Sequence, residues 1–187
     1  MPLEGTPYNP LPAAAIPKSA FVTNFEFVGT IDNAPYLCVA AGIEWRKSIG
    51  GEEAIRNYCQ TLVQEGTQKV ADVLGTEVLD NSTKTLTQCC MANVRLPFEV
   101  SKFEEMAAQA GVEKDKVGML VRDWVSRTLV NDYDTFMAAM WYGGNWLVRL
   151  SGQVYLDMED FEWAAKVLTE VSERAAKGEW LDAKSKL

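Results

Sequence analysis

The hydrophobic and polar positions of this chain change period several times, and each change marks an element. From Gly51 to Leu74 the apolar residues Ile55, Tyr58, Cys59, Leu62, Val63, Val70, Val73 and Leu74 recur at helical spacing, with Glu52 and Glu53 in the first turn and Gly75 after the last. This stretch reads as one long helix. Ser101 to Ala110 and Asp115 to Val130 repeat the pattern, the second with Val117, Leu120, Val121, Trp124, Val125 and Leu129 on one face. A last helix starts near Met158, carries Phe161, Ala164, Ala165, Val167, Leu168 and Val171, and dies out at Gly178.

Strand signals lie between these helices. Phe21 to Val28 alternates weakly and precedes the loop chemistry of Gly29 to Asn33. Thr76 to Leu79 is a short strand, and Gln88 to Pro97 reads as a buried strand closed by proline. Thr135 to Tyr142 and Trp146 to Ser151 form a pair joined across Gly143, Gly144 and Asn145, a hairpin signal. Pro35 suits the first turn of a helix running through Trp45, with Asp32 or Asn33 as its cap and Gly50 as its stop. Two or three antiparallel strands covered by helices on one side give an α+β layer fold. Ahead of it, residues 1–20 hold five prolines and are expected to form an extended arm; 21–180 form the domain and 181–187 a tail.

With 187 residues, 48% of them apolar, the chain can bury a substantial core. Its net charge of -8 argues against a nucleic-acid or anionic-membrane surface, since those partners need clustered Lys and Arg. No apolar run approaches the roughly 20 residues that span a bilayer, and Met1 to Gly5 has no signal-peptide character, so a cytoplasmic protein is expected. Cys38, Cys59, Cys89 and Cys90 match neither a disulfide framework nor CxxC metal spacing and read as reduced thiols. The sequence contains no histidine. That removes the commonest general base, the commonest metal ligand and every Ser-His or Cys-His nucleophile, so no metal site is expected and proton transfer would fall to Asp, Glu, Lys or Tyr.

One residue breaks the pattern of the strand that carries it. In Trp146-Leu147-Val148-Arg149-Leu150-Ser151, alternation puts Leu147, Arg149 and Ser151 on one face and Trp146, Val148 and Leu150 on the other. A half-buried guanidinium there needs a carboxylate, a phosphate or carbonyls for its five donors. Either an internal ion pair or a bound anion would serve.

Several motifs together resemble one family. Phe25-Glu26-Phe27-Val28-Gly29-Thr30-Ile31-Asp32-Asn33-Ala34-Pro35-Tyr36-Leu37, then Gly50-Gly51-Glu52-Glu53-Ala54-Ile55, Met91-Ala92-Asn93-Val94-Arg95-Leu96-Pro97 and Val148-Arg149-Leu150-Ser151-Gly152-Gln153-Val154-Tyr155, leading into Met158-Glu159-Asp160-Phe161, occur in the order found in class V aminotransferases. These are fold-type I pyridoxal phosphate enzymes; the chain is most similar to their fungal isopenicillin N epimerase-like and cysteine desulfurase-like branch, from about Phe21 onward. The resemblance implies a homodimer in which Gly29 and Thr30 lie in a loop reaching towards the cofactor phosphate of the partner subunit. It implies that Arg149 grips the carboxylate of a small-molecule substrate through a bidentate pair. It also implies a large domain ahead of this region, bearing the aromatic, aspartate and Schiff-base lysine that hold the cofactor, and no motif for these is found here; Lys18 has no match to that lysine.

The resulting expectation is a cofactor-free enzyme of specialised metabolism that acts by acid-base chemistry, through isomerisation, cyclisation or elimination, on a carboxylate-bearing metabolite. Asp32, Tyr36 and Tyr155 are the candidate proton-transfer groups, with Arg149, Gly29, Thr30 and Tyr142 around the substrate. By the same resemblance, Glu26 and Asp157 are expected in or beside loops that face the ancestral cofactor cleft. Each has a structural alternative: Asp32 can cap a helix, Tyr36 can pack in the core, and Tyr155 and Asp157 can shape the turn before the last helix. The competing expectation is a non-catalytic partner, or a piece that needs a full-length relative or a complementary amino-terminal half.

Overall fold

The computed structural model describes residues 19–21 and 34–182. They fall into two units divided between Ser48 and Ile49. In the first, α1 (Ala34–Leu37) and α2 (Val39–Ser48) meet at Cys38. The Cys38 amide donates to the Ala34 carbonyl at 3.1 Å and the Gly42 amide donates to the Cys38 carbonyl at 2.8 Å, so helical bonding crosses the break. Neither helix contains a buried residue. Most of the strand expected over Phe21 to Val28, and the Asp32 or Asn33 cap, lie outside the described residues; Phe21 itself is helical.

The second unit runs α3 (Gly51–Leu74), β1 (Val78–Leu79), β2 (Met91–Arg95), α4 (Val100–Gln109), α5 (Lys114–Tyr133), β3 (Ala138–Tyr142), β4 (Asn145–Ser151), α6 (Met158–Ala176) and α7 (Glu179–Asp182). The strands form one four-stranded sheet in the order β1-β2-β4-β3, antiparallel throughout. The fold class is α+β, as the periodicity predicts. The sheet gains a strand over the expected two or three because β1, only two residues long, joins through Val78 opposite Val94 and Leu79 opposite Asn93.

Alternation divides the sheet into unlike faces. Ala92 and Val94 of β2 and Trp146, Val148 and Leu150 of β4 are buried in the main core, which the apolar stripes of α3, α5 and α6 complete. Trp146 is fixed there by its indole N–H, which donates to the Gly118 carbonyl at 2.9 Å, and by Trp141, whose ring centroid lies 4.4 Å away. The β3-β4 hairpin closes as expected: Gly143 and Gly144 have φ of 57° and 72°, the left-handed pair that a two-residue turn requires.

Helices α3 and α6 approach so closely that Gly66 lies against the buried ring of Phe161; a Cβ at position 66 would stand 2.4 Å from that ring. Gly66→Ala is therefore expected to destabilise the fold by about 1–3 kcal/mol through overpacking, read as a lower midpoint in urea. Gly42→Ala, with open space around the added carbon, should leave that midpoint unchanged or raise it. Equal behaviour of the two variants would contradict the close packing of α3 on α6.

Candidate substrate-binding cleft

Strand β4 lies between β2 and β3, and its register sets Arg149 opposite Asn93 on one side and Ala138 on the other. Directly paired residues of antiparallel strands share a face. Arg149 thus stands on the side of the sheet away from the main core. It is exposed, which corrects the half-buried guanidinium expected from its apolar flanks. The alternation placed it on the right face; what it could not show is that the helices pack the opposite one. Leu147, two residues earlier on the same face, is buried outside the main core at 4% exposure.

No acid forms an ion pair with Arg149 among the described residues, so the internal salt bridge weighed from the sequence is not found. Arg174 shows what a structural arginine looks like in this fold. Its guanidinium lies 2.8 Å from both Asp132 and Glu179 and 5.7 Å from the centre of the Trp124 ring. Its hydrogen bond with Glu179 raises its pKa above the ordinary arginine value against the lowering effect of burial, and Asp132 and Tyr133 add to the rise. Lack of an acid alone does not mark a site, because Arg56 and Arg127 on exposed helix surfaces also lack one among the described residues. Position distinguishes Arg149.

Arg149 lines a cleft of about 350 Å³, bounded by the segment entering β3, the end of β4 with the loop after it, and the first turns of α6. Leu150 and Phe161, both buried, form its floor, while Phe136, Tyr155 and Trp163 are aromatic walls that remain accessible. Ser151 and Gln153 add polar groups. Among the described residues Arg149 is the only cationic one in this lining. Asp160 also lines the cleft, but its carboxylate accepts the Asp157 N–H at 2.9 Å while the Asp157 side chain accepts the Glu159 N–H at 2.8 Å. The two acids form a reciprocal cap on α6. The loop between β4 and α6 is held at both ends: the Tyr58 hydroxyl donates to the Leu156 carbonyl at 2.6 Å, and the Gly152 amide donates to the Cys90 carbonyl at 2.9 Å.

The candidates therefore separate. Arg149 and Tyr155 line the same cleft. Tyr142 shares the sheet face of Arg149 but pairs with Asn145 at the hairpin tip, four residues from Ala138 and thus about 13 Å further along the strand; it does not line the cleft. Tyr36 belongs to α1 of the first unit and is exposed. Gly29, Thr30, Asp32 and Glu26 lie outside the described residues. Asp157 serves as the turn-shaping cap that its position allowed. Phe136, Trp163 and Asp160 were not singled out from the sequence. Trp163 left a readable signal, because it falls off the buried stripe of Phe161, Ala164, Ala165 and Leu168. Phe136 left none.

Pyridoxal phosphate is the cofactor that the family resemblance implies, and among the described residues the cleft lining offers no lysine for its covalent attachment. Lys18 and the Gly29-Thr30 loop are outside the described residues.

No family model matches the chain. Its curated relatives include two L-cysteine desulfhydrase-like proteins of Epichloe uncinata: lolT1, 33% identical over 172 residues, and lolT2, 32% identical over 166. These matches cover 86% and 83% of this chain but 38% and 36% of the relatives. Hercynylcysteine sulfoxide lyase of Schizosaccharomyces pombe is 32% identical over 137 residues, 73% of this chain and 29% of that protein. The chain is homologous to these fungal proteins and spans between 29% and 38% of their length.

The cap on α6 shapes one wall of the cleft and can be tested directly. Asp157→Ala should cost about 1 kcal/mol of stability in urea unfolding, with Asp157→Asn close to the parent chain because an amide oxygen also caps well. An alanine variant as stable as the parent would remove the cap as the element that fixes this wall.

Proposed function

We propose that residues from about Ile49 onward form a small domain of the class V aminotransferase type, and that its cleft holds the carboxylate of a small, sulfur-bearing amino acid or amino-acid derivative. The observation that carries this reading is Arg149: exposed and, among the described residues, without an acid partner and the only cation lining the cleft. A guanidinium offers two parallel N–H donors to a carboxylate, and such charge-assisted pairs are stronger than neutral ones. The sulfur-bearing substrate class comes from the names of the relatives, which refer to L-cysteine and hercynylcysteine. In this reading the chain binds and orients, and carbon–sulfur bond cleavage is performed by groups outside this cleft lining.

A cofactor-independent acid-base enzyme is the second reading, favoured by one observation: the Tyr155 phenol lines the same cleft as Arg149. A phenol there could pass a proton to a substrate held by its carboxylate, with Asp32 and Tyr36 as further candidates. Self-association as a homodimer is proposed alongside either reading, from the exposed apolar side chains Leu37, Val39, Ile43 and Trp45 of the first unit.

Titration of the purified chain with S-methyl-L-cysteine, followed through the Trp163 indole signal by NMR, tests the grip. Arg149→Ala should raise the Kd roughly 10- to 100-fold, the range expected when a hydrogen-bonded charged partner is lost, and the methyl ester of the ligand should bind equally poorly to both proteins. Equal affinity for acid and ester would exclude a carboxylate grip. Turnover of the ligand by the purified chain alone, abolished in Tyr155→Phe, would instead select the acid-base reading.

A further inference from the structure

Beside Arg149 the sheet carries an unusual neighbour. Asn93 is its direct cross-strand partner on β2, with Leu79 of β1 on the other side. The side-chain oxygen of Asn93 is buried and has no hydrogen-bond partner. A buried amide oxygen without a donor is costly. Directly opposed residues place their Cβ atoms about 5 Å apart. Leu79 has no side-chain donor to offer, whereas Arg149 brings five.

We infer that Asn93 is a positioning residue for Arg149: the two side chains are not bonded in the structure, and on ligand binding the amide oxygen of Asn93 accepts one guanidinium N–H, so that the remaining donors are presented to the ligand carboxylate. This rests on the carboxylate-binding reading above. The chemistry favours an amide over an acid at this place. A carboxylate would orient the guanidinium but also neutralise it, as Asp132 and Glu179 do for Arg174. An amide oxygen orients through a neutral dipole and leaves the full positive charge for the ligand.

The test uses the full chain with S-methyl-L-cysteine as probe, and measures Kd, the thermal midpoint and the Arg149 Nε–H signal. Asn93→Ala removes a buried atom that lacks a partner, so the midpoint should hold or rise. The Kd should nevertheless rise at least about tenfold, the lower end of what one hydrogen bond to a charged group is worth, and the Nε–H signal of the bound state should broaden. Asn93→Asp, nearly equal in volume, should raise the Kd further by neutralising Arg149. An unchanged Kd in Asn93→Ala, with binding still lost in Arg149→Ala, overturns the positioning role and leaves the carboxylate grip standing. If Asn93→Ala lowers the midpoint, the aspartate variant decides, and parent-like affinity there overturns the inference. Undiminished binding in Arg149→Ala removes the reading on which both depend.

Discussion

The buried side of β4 governs the rest of the site. Trp146, Val148 and Leu150 are locked into the core at exposures of 2%, 0% and 6%, and the indole bond from Trp146 to the Gly118 carbonyl pins that register to α5. Because strand side chains alternate strictly, a slip of one residue would exchange the two faces. Arg149 would then enter an apolar core without an acid to meet it, which is among the most expensive placements a side chain can have. The hydrophobic pattern therefore does more than hold the strand. It forces one cation onto the opposite face, between Asn93 and Ala138.

Arg174 and Arg149 are used in two different ways, and the presence of acid partners among the described residues separates them. Arg174 ties α5, α6 and α7 together through Asp132 and Glu179 and packs over Trp124, so its charge is spent internally. Replacing such a residue would be felt as stability. Arg149 contributes no such tie among the described residues, and its charge remains available. A bound anion gains from that availability because nothing must be displaced first; an arginine held by two carboxylates would have to break those pairs before taking a third.

Much of the fold was legible from spacing alone. The stripe from Ile55 to Leu74 became α3, the stripe from Val117 to Leu129 became α5, and Gly143-Gly144 became the β3-β4 turn. These elements are fixed by local periodicity and backbone chemistry, which a sequence displays directly. The site was legible in part. A charge in an apolar strand singled out Arg149, and the family resemblance added Tyr155. Period two says which residues share a face but not which face the helices will cover, so the exposure of Arg149 could not be read. Nor could the cleft walls, since Phe136 and Trp163 meet only after β3 and α6 have been brought to the same end of the sheet. Tyr142 illustrates the reverse: it has the right face but lies too far along the strand.

The start of α6 adjoins the cleft, and a helix start ordinarily attracts anions through its free amides and dipole. Here the Asp157 and Asp160 carboxylates already take amides of that turn, and Glu159 adds a third negative charge. The helix end therefore offers little to an incoming anion, and the attraction falls on Arg149. Among the described residues the cleft lining holds one carboxylate, Asp160, with Asp157 and Glu159 beside it in the same turn, and one guanidinium. A zwitterion, with an ammonium group beside its carboxylate, suits both walls. Under the proposed carboxylate-binding reading, this arrangement suits an amino acid better than a dicarboxylate or a phosphate ester, through residues whose first task is to cap a helix.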